Sequence, residues 1–290
     1  MRLDDYEAEQ RYTATVSESS LITPENGEEE IRTIALDIEA EDFGFDVGQS
    51  IGVVVPGPHE FGQAEHFRLY TVANTSISNT SGAKNSVGRI DICVKRCSYV
   101  DEFSGERHDG IASNYLCDRQ VGDQITVTGP YGLPFNLPEE KTADLLMIGL
   151  GTGIAPFRAF VRHLYETLGG WEGRVRLFYG ARSGLEMVYM NDQQNDFVNY
   201  YDEATFKAFT AVSPRPHMDD PVPLDDALEE QKKEVWEMVL DPDTHVYVAG
   251  LGHMLPQLDK AFALMAGSED RWRRRKAELV AGERWTELIY

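Results

Sequence analysis

The pattern of apolar and polar residues changes character part-way along the chain. Through the first half, short β-prone runs at residues 12–19, 31–38, 50–55, 67–73, 88–96 and 124–128 are separated by Gly, Pro, Asn or acidic stretches. In Arg89-Ile90-Asp91-Ile92-Cys93-Val94-Lys95 the alternation is regular for several steps. A half-buried strand requires this, because successive side chains leave it on opposite faces. Short strands without intervening helices predict an antiparallel barrel or sandwich, with a short helix at residues 114–118 inside it.

Past Pro138-Glu139-Glu140-Lys141 the periods lengthen. Leu145-Leu146-Met147-Ile148 is a continuous apolar run, as a parallel strand buried on both faces requires. It ends in glycines and leads into a helical pattern at residues 156–168. A strand at 175–179, a polar helical stretch, a strand at 206–212, a helix at 224–240 and a strand at 245–249 follow. Leu224, Leu228, Val235 and Val239 fall on one face of the 224–240 helix, whose acidic first turn complements the helix dipole. Alternating strand and helix signals imply a doubly wound parallel sheet. The predicted architecture is therefore a β-barrel over residues 1–140 followed by an α/β domain over 141–290.

Composition narrows the function classes. Apolar residues make up 42% of the 290 residues, enough for full cores. Asp and Glu number 49 against 27 Lys and Arg, a net charge of −22. That balance argues against a nucleic-acid binder, which must neutralise phosphates, and against simple docking on anionic membranes. The three cysteines, Cys93, Cys97 and Cys117, have no Cys-x-x-Cys spacing. They suit reduced thiols in the cytoplasm and are too few for an all-cysteine iron–sulfur cluster. No apolar run approaches the roughly 20 residues of a membrane span. The acidic N-terminal segment lacks the apolar core of a signal peptide. No His-x-x-x-His pair points to zinc.

Three motifs carry candidate chemistry. Gly149-Leu150-Gly151-Thr152-Gly153-Ile154-Ala155-Pro156 lies between a buried strand and a helix. Glycines let backbone approach a ligand, and the following helix presents N–H groups and a positive dipole end to phosphate. Pro156 suits the first helical position. The loop lacks the Gly-Lys-Ser/Thr ending of a Walker A loop. In Arg68-Leu69-Tyr70-Thr71, Arg68 and Tyr70 share a strand face, where Arg clamps phosphate and Tyr stacks on a flat heterocycle; alone, such alternation is an ordinary solvated strand face. Gly110-Ile111-Ala112-Ser113-Asn114-Tyr115-Leu116-Cys117-Asp118 offers a second anion site or simply a helix capped by Ser113.

Taken in order, these blocks and Val246-Tyr247-Val248-Ala249-Gly250 resemble the plant-type ferredoxin–NADP reductase family, as does a chain stopping on aromatic Tyr290 after Trp285. The resemblance spans about residues 12–290. It implies an antiparallel six-stranded FAD-binding barrel and a parallel five-stranded doubly wound NAD(P)-binding domain. The implied activity is a flavoprotein oxidoreductase passing electrons between NAD(P)H and a one-electron carrier, ferredoxin or flavodoxin. The alternatives are the reductase component of a multi-protein oxygenase and a flavin-binding subunit of a larger redox complex. By similarity, Arg68 holds the FAD pyrophosphate, with Leu69 beside it in the motif, and Tyr70 packs on one isoalloxazine face. Thr71 stands near flavin N5, Tyr99 stacks on adenine, and Gly110, Ile111, Ala112 and Ser113 hold the pyrophosphate. Gly151, Thr152, Gly153 and Pro156 bind the nicotinamide nucleotide, with Gly250 beside them. Tyr290 covers the other flavin face and must move to admit nicotinamide. Thr71, Thr152, Glu287 and Tyr290 form the implied catalytic set.

The chain departs from that family in places. Ala249 replaces a Cys, Leu288 replaces a Glu although Glu287 is adjacent, and Thr71 replaces a Ser. The residues that would read a 2′-phosphate reduce to Ser213, Arg215 and, after the preceding strand, Arg182; NADP is favoured over NAD on their account. Asp219 or Asp220 would instead accept from a ribose 2′-hydroxyl. The run Arg271-Trp272-Arg273-Arg274-Arg275-Lys276 is either a solvated helix face or a docking patch for an acidic carrier. Cys93 and Cys97 are expected to pack within strands, Cys117 beneath the pyrophosphate helix, and Trp236 and Trp272 as packing anchors.

Overall fold

The computed structural model describes residues 10–40, 43–59, 62–77, 87–101, 103–132, 135–218 and 220–290. The chain divides into two compact units, Met1–Leu133 and Pro134–Tyr290.

In the first unit, β1 (Arg11–Leu21), β2 (Ile31–Ile38), β3 (Ser50–Pro56), β4 (Glu65–Ile77) and β5 (Val87–Lys95) precede a small hairpin, β6 (Ser98–Val100) and β7 (Arg107–Asp109). Helix α1 (Ile111–Cys117) and strand β8 (Gln124–Tyr131) follow. Six strands close into an antiparallel barrel in the order β1-β2-β5-β4-β3-β8. Register sets apolar residues opposite one another: Val16 faces Leu36, Leu36 faces Ile90, Ile34 faces Ile92 and Val53 faces Val127. A one-residue slip would turn all of them outward. Ala112, Leu116 and Cys117 of α1 join this core. The helix begins at Ile111, earlier than the expected residue 114, with Gly110 rather than Ser113 at its N-cap. The β6–β7 hairpin is an element the apolar pattern misses, because its residues are mostly exposed.

The second unit is a five-stranded parallel sheet with strands β9 (Asp144–Leu150), β10 (Val175–Ala181), β11 (Phe206–Val212), β12 (Thr244–Gly250) and β13 (Trp285–Ile289). Their order is β11-β10-β9-β12-β13. The chain leaves central β9 to β10 on one side and returns to β12 on the other, so the order reverses between β9 and β12. In open α/β sheets the crevice beyond the carboxyl ends at that reversal is where ligands bind. The expected 156–168 helix is α2 (Ala155–Arg162), with Pro156 second rather than first, continued by a π-helical turn His163–Thr167.

Two expected helices differ. The 224–240 helix breaks at Gln231 into α3 (Leu224–Glu230) and α4 (Lys232–Leu240). The four stripe residues are all buried, but α3 packs on β10 and β11 whereas α4 packs on β9 and β12. A straight helix would not follow the twisted sheet across that span. The polar stretch after β10 forms no α-helix; it holds two 3₁₀ turns, Gly184–Glu186 and Phe197–Tyr200, and a bridge between Met190 and Asn195. There the Asn191 side-chain carbonyl accepts from the N–H groups of Gln193 and Gln194, a local bond that competes with helix formation. Near the C-terminus stand α5 (Met254–Ala266) and α6 (Glu269–Ala281), followed by edge strand β13. Phe262, Trp272 and Trp285 pack together beneath them, with ring centroids 4.6–5.6 Å apart.

Candidate functional site

In the barrel, side chains of β4 form a gradient. Val72 is buried in the core, Tyr70 is partly buried against it, and Arg68 on the same face is exposed. Burial pushes the Tyr70 phenol well above its ordinary range. The Arg68 Nη1 donates to the Phe67 carbonyl at 2.9 Å. On the opposite face Leu69 is half-buried, and the Thr71 hydroxyl accepts from Ser50 Oγ at 3.0 Å.

Helix α1 supplies the second feature. Its first intrahelical bond runs from the Asn114 N–H to the Gly110 carbonyl at 3.1 Å, so the N–H groups of Ile111, Ala112 and Ser113 precede the ladder and have no acceptor within it. A Cβ on Gly110 would come within 2.8 Å of Ser113 Oγ and 3.2 Å of the Cys97 carbonyl. The Ser113 hydroxyl is buried, accepting from the Cys97 N–H at 3.1 Å and donating to the Gly110 carbonyl at 3.3 Å. It ties α1 to the segment after β5, and only its backbone N–H lies at the helix start. Arg96 secures the same helix from below, bonded to Glu30, Asn114 and Asp118 at 2.7–2.8 Å. These carboxylates raise its basicity, chiefly Glu30. The sequence offers no local sign of that role. Tyr99, 57% exposed, stacks on His108 across the β6–β7 hairpin at 5.3 Å and 23°. The His108 partner also escapes sequence reading. Cys93 and Cys117 are buried, and burial pushes the Cys117 thiol up to about 12. Cys97 is exposed just beyond β5, not packed within a strand as expected.

This donor set, a guanidinium and first-turn N–H groups together with two tyrosine rings, suits a dinucleotide with a flat ring at each end.

In the second unit the glycine loop has a structural account. Gly151, at φ +58°, starts a 3₁₀ turn ending at Ile154. Gly153 lies so close to β12 that a Cβ would sit 2.2 Å from the Ala249 carbonyl oxygen. The loop is thereby held against the carboxyl end of β12, at the reversal point of the sheet. The Thr152 hydroxyl meets Tyr290 Oη at 2.8 Å, and the Tyr290 N–H donates to the Gly250 carbonyl at 3.2 Å. Thr152, Gly250 and Tyr290, distant in sequence, therefore converge; the Tyr290 ring is 56% exposed. Ala249 is fully buried and pairs in register with Leu288. Glu287 lies on the other face of β13, where its carboxylate accepts from Trp285 Nε1 at 2.6 Å and from Lys276 Nζ at 3.1 Å.

Arg182 follows β10, and Ser213 and Arg215 follow β11. The Arg182 guanidinium donates twice to the Pro216 carbonyl, at 3.2 and 2.9 Å. Ser213 Oγ donates to the Asp220 carbonyl at 2.7 Å, and Arg215 pairs with the Asp220 carboxylate at 2.8 Å. Asp219 lies outside the described residues.

The basic run on α6 is only partly a surface. Arg271, Arg273 and Arg274 are exposed. Arg275 instead donates to the Val239 carbonyl at the end of α4 at 2.8 Å, and Lys276 pairs with Asp259 and Glu287 at 3.1 Å. Trp272 is a packing anchor in the core, and Trp236 is packed against it. Among the described residues there is no cluster of metal-ligating side chains and no helix long and apolar enough to cross a membrane.

Comparison with known proteins agrees with both units. Residues 19–135 match the oxidoreductase FAD-binding domain, and residues 147–260 match the oxidoreductase NAD-binding domain. The ferredoxin–NADP reductase of Picosynechococcus sp. is 30% identical over 93% of this chain and 67% of its own length. That of Spirulina sp. is 28% identical over 98% of this chain and 97% of its own. Among solved structures, ferredoxin–NADP+ reductase from Plasmodium falciparum superposes with a TM-score of 0.72 at 17% identity, covering 98% of each chain. The same enzyme with 2′-phospho-AMP gives 0.71 at 18%, again over 98% of each chain.

Proposed function

Because this chain belongs to the ferredoxin–NADP reductase family, we propose that it is a flavoprotein oxidoreductase moving electrons between NAD(P)H and ferredoxin. FAD, when bound, supplies the hydride acceptor and releases electrons one at a time. Arg68 and the first-turn N–H groups of α1, from Ile111 to Ser113, hold its pyrophosphate. Tyr70 packs on the isoalloxazine and Tyr99 on the adenine, while Thr71 is steadied by Ser50. No protein nucleophile is needed; the residues bind, orient and exclude water.

The observation that carries the reading in the second unit is the convergence of Thr152, Gly250 and Tyr290 beside the glycine loop. The loop of Gly151, Thr152 and Gly153 with the start of α2 receives the nucleotide pyrophosphate. Tyr290, hydrogen-bonded to Thr152, is the ring a nicotinamide must displace. Glu287, already bonded to Trp285 and Lys276, is better suited to holding β13 on α6 than to moving a proton.

The carrier is a ferredoxin or a flavodoxin. Charge complementarity favours docking at Arg271, Arg273 and Arg274, where the surrounding surface of a −22 protein would otherwise repel an acidic partner. The cytoplasm suits three cysteines with no disulfide between them.

Anaerobic stopped-flow mixing with NADPH and with NADH tests the reading. A yellow protein whose flavin bleaches within the mixing experiment, and which then reduces ferredoxin, is expected. A flavin-loaded protein that neither nucleotide reduces would overturn the enzyme assignment in favour of a flavin-binding subunit.

A further inference from the structure

The loop after β11 folds back on itself around one ion pair. Arg215 Nε donates to Asp220 Oδ2 at 2.8 Å and Nη2 to Oδ1 at 3.4 Å, so the carboxylate lies along one edge of the guanidinium. Arg recognises a phosphate through the same fork. Asp220 is fixed from both sides. Its carbonyl accepts from the buried Ser213 hydroxyl, and its N–H donates to the Arg215 carbonyl at 3.4 Å. Its side chain is 21% exposed, against 65% for Arg215. The loop is also tethered from β10, where Arg182 donates twice to the Pro216 carbonyl. All three residues that would read a 2′-phosphate are thus engaged within the protein, two through Asp220 itself.

Position gives this pair its meaning. Arg182 and Ser213 directly follow the carboxyl ends of β10 and β11, on the ligand-binding edge of the sheet. If a nucleotide with its pyrophosphate on the glycine loop after β9 runs its adenosine toward β10 and β11, its 2′ position meets the loop after β11. We propose that Asp220 is a specificity-determining residue: it competes with a nucleotide 2′-phosphate for Arg215 and narrows the preference for NADPH over NADH. A ribose 2′-hydroxyl donates to the Asp220 carboxylate with the ion pair intact. A 2′-phosphate must break the pair and then lie beside a carboxylate of like charge. This inference rests on the nucleotide reading above and refines which nucleotide that site takes.

The test uses Asp220→Asn, which keeps the shape and removes the charge, in the flavin-loaded protein. The kcat/KM ratio of NADPH to NADH should rise about tenfold; release of an exposed ion pair accounts for a few-fold and removal of the repulsion for the rest. Calorimetric titration supplies a readout independent of turnover. Affinity for 2′-phospho-AMP should rise by a similar factor while that for 5′-AMP stays within about twofold of wild type. In an Arg215→Gln background the Asp220→Asn effect should lose the few-fold owed to the ion pair and keep only the part owed to the repulsion. A ratio unchanged by Asp220→Asn, equal tightening of both probes, or an effect undiminished without Arg215 would each overturn the proposal. If the wild-type protein bound neither probe and neither nucleotide reduced its flavin, the nucleotide reading itself would fail. Both readouts are ratios within one preparation, so a partly folded variant does not mimic the result.

Discussion

Replacing Gly153 by alanine separates the two demands made on the loop after β9. A Cβ there would lie 2.2 Å from the Ala249 carbonyl oxygen, 2.5 Å from its carbon and 2.9 Å from the Gly250 nitrogen. All three are backbone atoms of β12, which is bonded to β9 on one side and β13 on the other and cannot retreat. Ordinary contact requires about 3.4 Å, so the loop itself must lift. Overpacking costs about 1–3 kcal/mol and more where neighbours are fixed; we expect about 3 kcal/mol or more. Gly151→Ala is the control. It meets nothing within 4 Å and its difficulty is a φ of +58°, a left-handed conformation costing about 1–2 kcal/mol. The four tryptophans, Trp171, Trp236, Trp272 and Trp285, all lie in the second unit, so urea unfolding followed by tryptophan fluorescence reports on it alone. Gly153→Ala should unfold at clearly lower urea than Gly151→Ala. A Gly153→Ala variant within about 1 kcal/mol of wild type, or a Gly151→Ala variant that is the weaker of the two, would refute the close-approach argument.

Other substitutions probe other links. Arg275→Met removes a half-buried guanidinium from the α4 carbonyls and should cost about 1–2 kcal/mol in the same unfolding assay. Exposed Arg273→Gln should shift stability by less than about 0.5 kcal/mol yet slow ferredoxin reduction, most at low salt where steering is strongest. The Arg96 hydrogen bond holds the Glu30 carboxyl below its ordinary value of 4.5. The folded state therefore binds this proton less readily than the unfolded chain, and the stabilisation is complete above about pH 4.5 and lost as pH falls through the lowered value. Glu30→Gln should flatten that acid limb in a pH series of unfolding midpoints. Ala249→Cys, at a fully buried position beside the glycine loop, should raise the rate of flavin reduction by about tenfold; an unchanged rate would show that the position does not bear on hydride transfer.

The parts of the fold legible in sequence are those whose burial is one-sided or complete. The register residues of the barrel alternate, and β9 reads as a parallel strand because both its faces are covered. The misses occur where side chains override period. Asn191 turns the chain where polar periodicity suggests a helix. The 224–240 stripe is continuous in sequence although its two halves pack on different strands. Residues 254–281 carry readable stop and start signals that periodicity alone overlooks: Gly267 at φ +80° ends α5, and the Ser268 hydroxyl accepts from the Arg271 N–H to begin α6. The basic run shows the limit for function, since sequence counts its cations equally while the fold consumes Arg275 and Lys276. The Thr152–Tyr290 contact was not legible, because no spacing joins residues so far apart and the family resemblance names both residues without pairing them.

The helix-free crossover from β10 to β11 has a consequence for when parts of the second unit acquire order. Its shape is held by groups on α2 and the π-helical turn. Arg158, 4% exposed, pairs with Asp196 and lies 4.5 Å over the Tyr189 ring; Glu166 accepts from Tyr200, and Tyr165 meets Thr205 at 2.9 Å. An α-helix in that position would carry its own backbone ladder into a partly folded chain. This crossover carries only short turns and one bridge of its own, so its shape depends on α2 being docked on the sheet. On the way out, loosening of α2 opens it, and its amides exchange with solvent at a free energy no greater than that of releasing the helix.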